Sequence, residues 1–142
     1  MGVYKHFDTA LIHGGIYGDE RTGAVNIPLY LTSTYMQKSL GTPKYDYSRT
    51  INPTREALEA LIAELEAGAA GFAFASGMAA ITAVVSLFKS GDKIIISNNV
   101  YGGTYRVLDK IFKNFGIGYI IIDTTDLNNI KQAITPDVKA IL

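Results

Sequence analysis

The stretch FAFASGMAAI, Phe72–Ile81, breaks an apolar run with Ser76 and Gly77 and resumes at once with small helix formers. The residues before the break, Gly71 to Ala75, read as a short buried strand. Those after it, from Met78 to about Lys89, read as a helix that is apolar nearly all round. A strand that turns through Ser-Gly into a helix sets a helix N-terminus at the carboxyl edge of a sheet, where open α/β folds bind ligands. First-turn N–H groups and the helix dipole favour an anion there, such as a phosphate. Gly77 lets backbone approach a ligand closely, and Ser76 can cap the helix or donate. Taken alone, the tripeptide reads more simply as a strand-to-helix turn that faces water. It is neither a G-x-G-x-x-G fingerprint nor a Walker motif.

The pattern continues on both sides. Upstream, NPTREALEALIAELEAG has Asn52 as N-cap and Pro53 at the first helical position. Leu58, Leu61, Ile62 and Leu65 fall on one helical face, and Gly68 is a stop signal. Downstream, GDKIIIS reads as a strand and GGTYRVLDKIFKNFG as an amphipathic helix with Val107, Leu108, Ile111, Phe112 and Phe115 inward. YIIID reads as another strand, Asp126 caps a helix over Leu127–Ile134, and Pro136 leads into VKAIL. Apolar strands joined by helices predict an α/β fold with a mostly parallel sheet and helices on both faces. The apparent strand at the end, with no closing helix, reads as the front part of a longer chain.

Residues 1–52 differ. They are rich in turn formers and show no sustained period, yet Ile27, Leu29, Tyr30, Leu31 and Tyr35 are costly to leave in water. We read residues 1–52 as an extended arm that packs on something, a neighbouring subunit included, and residues 53–142 as the start of the α/β domain.

Composition narrows the function. The 142 residues carry 13 lysines plus arginines against 13 aspartates plus glutamates, which argues against nucleic acid or a polybasic membrane surface as the main partner. No cysteine is present, so thiolate metal sites, disulfides and cysteine nucleophiles are out. No signal-like apolar stretch or span-length run occurs, and a cytoplasmic location is expected. No metal site is expected. His6 and His13 are the only histidines, and both fall in the arm.

Two further segments bear on the Ser76 turn. In NNVYGGTYR, Tyr101 follows a strand and precedes a helix, so it shares the sheet edge with Ser76; an aromatic ring there can stack on a flat heterocycle or simply half-cover the core. In YDYSRTINPTR, Tyr47 and Arg49 alternate in a segment read as extended, and would point the same way. Arginine with a phenol is a phosphate clamp, or a surface cation beside a ring.

Together YDYSRTINPTREALE, FASGMAAI and NNVYGGTYR resemble the Cys/Met-metabolism family of pyridoxal-phosphate (PLP) enzymes, over about His13 to Leu142. The family spans cystathionine lyases, cystathionine γ-synthase, methionine γ-lyase and O-acylhomoserine sulfhydrylases. The resemblance implies the large domain of PLP fold type I, the aspartate-aminotransferase-like fold, preceded by an arm that crosses to a neighbour. It implies pyridoxal 5'-phosphate as cofactor, held by Ser76 and the N–H groups of Gly77 and Met78, with Tyr101 stacked on its ring and a share in proton movement. Tyr47 and Arg49 would bind the phosphate of the adjacent subunit, within a homotetramer. The family's Schiff-base lysine, the aspartate facing the ring nitrogen and the arginine for the substrate carboxylate are expected beyond Leu142, so this stretch alone should not catalyse.

The resemblance further implies C–S bond cleavage in a small amino-acid substrate, of the cystathionine γ-/β-lyase type. Cystathionine γ-synthase and sulfhydrylase chemistry stand close behind. Gly103 stands where methionine γ-lyases often carry cysteine, which argues against that branch. A non-catalytic fragment that only binds phosphate and oligomerises is the other reading; a nucleotide-binding domain is weaker, since its glycine spacing is missing.

Overall fold

The computed structural model describes residues 6–37, 39–41 and 43–142. It forms two compact units, Met1–Ala73 and Phe74–Leu142.

The first unit holds two helices, α1 (Phe7–His13) and α2 (Pro53–Leu65), packed on each other. The short helix α1 lies in the region read as an irregular arm. α2 begins as its sequence requires. The Asn52 side chain accepts from the N–H groups of Thr54 (2.9 Å) and Arg55 (3.4 Å). The helix ends in a Schellman arrangement: Ala67 N–H donates to the Glu64 carbonyl and Gly68 N–H to that of Ala63. The left-handed residue in that turn is Ala67, at φ 51°, and not the glycine after it. The apolar stripe of α2 is only partly covered, with Leu58 50% and Ile62 47% exposed. The face that packs is the Ala57–Leu61 flank. There a Cβ on Gly15 would run into the Ala57 carbonyl, and one on Gly14 would come within 2.7 Å of Leu61 Cδ1. Close backbone approach, rather than leucine burial, seats α1 on α2.

The second unit is a three-stranded parallel sheet of order β2-β1-β3, with β1 Lys93–Ser97, β2 Gly118–Ile122 and β3 Val138–Ile141. Lys93 to Ser97 pair in register with Gly118 to Ile122. On the other side Lys93 aligns with Val138 and Ile94 with Ala140, so β3 carries an irregularity beside Lys93. Ile94, Ile95 and Ile96 are all buried, as a central strand covered on both faces demands. Each such side chain contributes about 1.5–3 kcal/mol relative to exposure. Ile94 and Ile96 join Val85, Leu108, Phe112 and Ile117 in one core.

Three helices accompany the sheet: α3 (Gly77–Val85), α4 (Gly102–Lys110) and α5 (Leu127–Ala133). Asp126 caps α5 through the Asn128 N–H at 2.8 Å. α3 stops short of Lys89, and only Val85 of its residues is fully buried. The helix read as continuous from Gly102 to Phe115 breaks at Ile111 into a 3₁₀ turn, Phe112–Phe115. The break turns Ile111 and Phe115 outward, while Leu108 and Phe112 stay in the core.

Gly71–Ala75 is not a strand. No ladder partner lies beside it among the described residues, and the Ala73 N–H donates instead to Glu59 Oε1 at 2.9 Å. Tyr47–Arg49 is likewise not extended. Tyr47 makes a single antiparallel bridge to Thr34, then the chain turns, with the N–H groups of Thr50 and Ile51 both donating to the Tyr47 carbonyl.

Candidate functional site

The carboxyl end of β1 sets the first part of the site. Asn98 N–H donates to the Ile122 carbonyl at 2.8 Å, prolonging the ladder by one bond. The chain then turns tightly: the Ser97 carbonyl accepts from Val100 N–H and the Ser97 hydroxyl from Asn99 N–H. Val100 packs against the core, and the next residue, Tyr101, opens α4 with its carbonyl accepting from Thr104 N–H at 2.9 Å. Thr104 is itself buried, which fixes the first turn of α4. The Tyr101 ring is left 70% exposed. A core residue on one side and a helix start on the other hold its backbone while its ring stands free.

The second part is the start of α3. Ser76, in extended conformation, caps the helix, its Oγ accepting from the Ala79 N–H at 3.1 Å. The Ser76 hydroxyl proton remains available to an acceptor in front of the helix. The N–H groups of Gly77 and Met78 belong to the first turn and have no acceptor within the helix. A Cβ on Gly77 would meet nothing within 4 Å, so space lies open before the helix terminus.

The two parts meet at Gly103. A Cβ there would lie 2.5 Å from Tyr101 Cε1 and 3.0 Å from Met78 Sδ. The ring of Tyr101 and the second residue of the α3 terminus therefore share the space over a glycine. Two helix N-termini, an open cradle and a standing aromatic ring suit a planar ligand that carries a phosphate. Sequence reasoning placed Ser76, Gly77, Met78 and Tyr101 on one edge, and the structure brings them together. It did not find Gly103 as the residue that makes room; the signal was the doubled glycine after Tyr101.

The first unit holds the other pair. The Arg49 guanidinium stacks over the Tyr47 ring, 4.8 Å from its centroid. Both residues are solvent-exposed. They meet through a turn and not through strand alternation, and the turn is tied down from α2. Arg55 donates to the carbonyls of Ser48, Arg49 and Thr50. Asn52 Nδ2 donates to Tyr30 O, Ser48 Oγ and Tyr35 Oη. Tyr45 donates to Glu56 at 2.6 Å, and Lys44 pairs with the same carboxylate at 2.9 Å. The Tyr45 hydrogen bond, with help from Lys44, holds the Glu56 carboxyl below its ordinary range. Arg55 was missed by sequence reasoning; its signal was a cation three residues after a capping asparagine.

The parallel sheet, with the open α3 terminus beside Tyr101, makes the second unit an α/β domain with room for a phosphate-bearing ligand. Residues 8–142 match the family described as Cys/Met metabolism PLP-dependent enzyme, and the chain belongs to that family. It is 56% identical over 134 residues to cystathionine gamma-lyase of Bacillus subtilis (strain 168), and 55% identical to cystathionine beta-lyase of Lactococcus lactis subsp. cremoris (strain MG1363). In both cases 94% of this chain aligns with 35% of the relative. The crystal structure of cystathionine gamma-lyase from Lactobacillus plantarum complexed with L-serine superposes with a TM-score of 0.90 at 57% identity, over 96% of this chain and 36% of that one. The chain thus spans about a third of the length of these relatives. The fold expected from the sequence, a parallel sheet with helices of the PLP-dependent lyases, is the fold observed. Pyridoxal 5'-phosphate is the cofactor that membership implies, and the open α3 terminus with its free hydroxyl and adjacent ring fits its phosphate and pyridine.

Proposed function

We propose that the protein carrying this chain cleaves the C–S bond of cystathionine or a related thioether amino acid. The reading is carried by one observation: the Tyr101 ring stands against Gly103 and Met78, beside the capped and open terminus of α3. The names and identities of the relatives support the same reaction class. When bound, pyridoxal 5'-phosphate supplies the electron sink that lets bonds at the substrate's α- and β-carbons break.

The residues of this chain prepare that chemistry. Gly77 and Met78 donate their N–H groups to the phosphate, and Ser76 adds its hydroxyl. Tyr101 would stack on the pyridine ring and keep water from it. The Tyr101 phenol is placed to hold or pass a proton at Oη. Tyr47 and Arg49 bind the phosphate of a neighbouring subunit, in a homotetramer whose active sites are each built from two chains. The covalent lysine, the carboxylate opposite the ring nitrogen and the arginine for the substrate carboxylate belong, in this reading, to the two thirds of the relatives that this chain does not span.

The test is product release. Purified full-length protein supplied with cystathionine is expected to give 2-oxobutyrate for γ-elimination or pyruvate for β-elimination. Release of neither from cystathionine or other thioether amino acids sinks the lyase reading. Net thioether formation from an activated homoserine would move the protein to γ-replacement.

A further inference from the structure

Arg55 sits in the first turn of α2 and is half-buried. One of its terminal nitrogens donates to the Ser48 carbonyl at 3.1 Å and the Arg49 carbonyl at 3.3 Å; the other donates to Thr50 at 2.7 Å. Its Nε lies 3.3 Å from Glu59 Oε1, one helical turn on. That same oxygen accepts the Ala73 N–H. Three consecutive carbonyls therefore converge on one planar cation, and the cation is oriented by a carboxylate anchored at its other side.

This geometry exceeds what packing α2 requires. Carbonyl oxygens of a turn repel one another when they converge, and they also repel a phosphate nearby. A guanidinium with five donors in a fixed fork satisfies all three and cancels their partial charge. A lysine ammonium is a single point charge on a flexible stem and cannot span them in the same way. The turn so held carries Arg49, stacked on Tyr47.

We propose that Arg55 is a positioning residue: it holds the 48–50 turn so that Tyr47 and Arg49 present their donors to the cofactor phosphate, and Glu59 orients Arg55. The inference rests on the reading of Tyr47 and Arg49 as phosphate ligands.

The experiment compares affinity for pyridoxal 5'-phosphate with affinity for unphosphorylated pyridoxal. It uses the full-length protein, Arg55→Lys, Arg49→Ala and the double variant. Arg55→Lys is expected to weaken pyridoxal 5'-phosphate about tenfold while pyridoxal stays within roughly twofold, the scale of lost supporting contacts. In the double variant, Arg55→Lys should add clearly less to Arg49→Ala than it costs alone, because of the two donors it places only the Tyr47 phenol is left. General damage to the fold would weaken both ligands, and that outcome overturns the proposal. So does unchanged pyridoxal 5'-phosphate affinity, or full additivity in the double variant. Should Arg55→Lys not fold, Glu59→Gln provides the second reading, with a smaller loss that is again confined to the phosphorylated ligand; equal loss of both ligands in that variant overturns the proposal. Failure of the underlying reading looks different: Arg49→Ala would then bind pyridoxal 5'-phosphate as the wild type does.

Discussion

Tyr101 separates two contributions in one side chain. In the proposed site its ring would stack on the cofactor and its phenol would carry a proton, and substitution splits the two. Tyr101→Phe is expected to keep cofactor affinity while lowering turnover. Tyr101→Ala should lose about 1 kcal/mol of cofactor affinity, roughly fivefold, by titration of the cofactor's absorbance. Equal affinity in all three proteins would place the ring elsewhere. Glu56 makes a second residue-level case. Its folded carboxyl is held below the ordinary value of 4.5 by Tyr45 and Lys44. A depressed carboxylate stabilises the fold above its unfolded pKa, and the gain is lost as pH falls through the folded value. The melting temperature of wild type should therefore exceed that of Glu56→Gln at neutral pH, and the two should converge as pH falls below 4.5 and through the lower folded value. A gap that stays constant through that range would show that the ionised pair is not its source, and coincident curves that the pair adds nothing.

At the scale of elements, the sequence spoke clearly where chemistry is local and less clearly where it depends on neighbours. Asn52, Ser76 and Asp126 each cap a helix as their residue types suggest. The isoleucine run of β1 is buried as a central strand should be. Gly71–Ala75 has an apolar strand pattern, but strand structure needs a ladder partner, and its Ala73 N–H is spent on Glu59. Ile111 and Phe115 sit at helical spacing yet turn outward, since the 3₁₀ turn after Ile111 shifts the phase. The candidate site was legible as residue types in order. Tyr47 and Arg49 were expected to point the same way by strand alternation, whereas a turn brings them together; Arg55 was missed because its turn partners are main-chain carbonyls, which leave only its spacing from Asn52 as a signal. The Ala67 turn yields a prediction of its own. A non-glycine residue at φ 51° pays for a conformation that glycine adopts freely. Ala67→Gly should raise stability by about 0.5–1 kcal/mol in thermal melting. A drop in melting temperature would mean that entropy lost by glycine outweighs the relieved strain.

For the whole molecule, the question is what covers the apolar side chains that the described residues leave bare. Leu31 is 94% exposed, with Leu29 and Val25 also open in the same arm. Isolated exposed leucines are ordinary, but a series along one irregular segment is the kind of surface that the subunit contact proposed above would cover. In the full-length protein, Leu31→Asp should shift the mass measured by light scattering toward smaller assemblies. An unchanged mass would remove the arm from the subunit contacts.

The strand order has a bearing on how the protein is made. β1 sits in the centre, but its first neighbour arrives with Gly118–Ile122 and its second only with Val138–Ile141. At roughly 5–20 residues per second, a ribosome leaves the Ile94–Ile96 ladder without its second flank for on the order of seconds. During that interval the nascent strand offers an open row of peptide donors and acceptors beside its most apolar side chains. A neighbouring nascent chain on the same polysome could pair with that row, and a holdase that shields it would decide the yield of folded protein more than the final stability does.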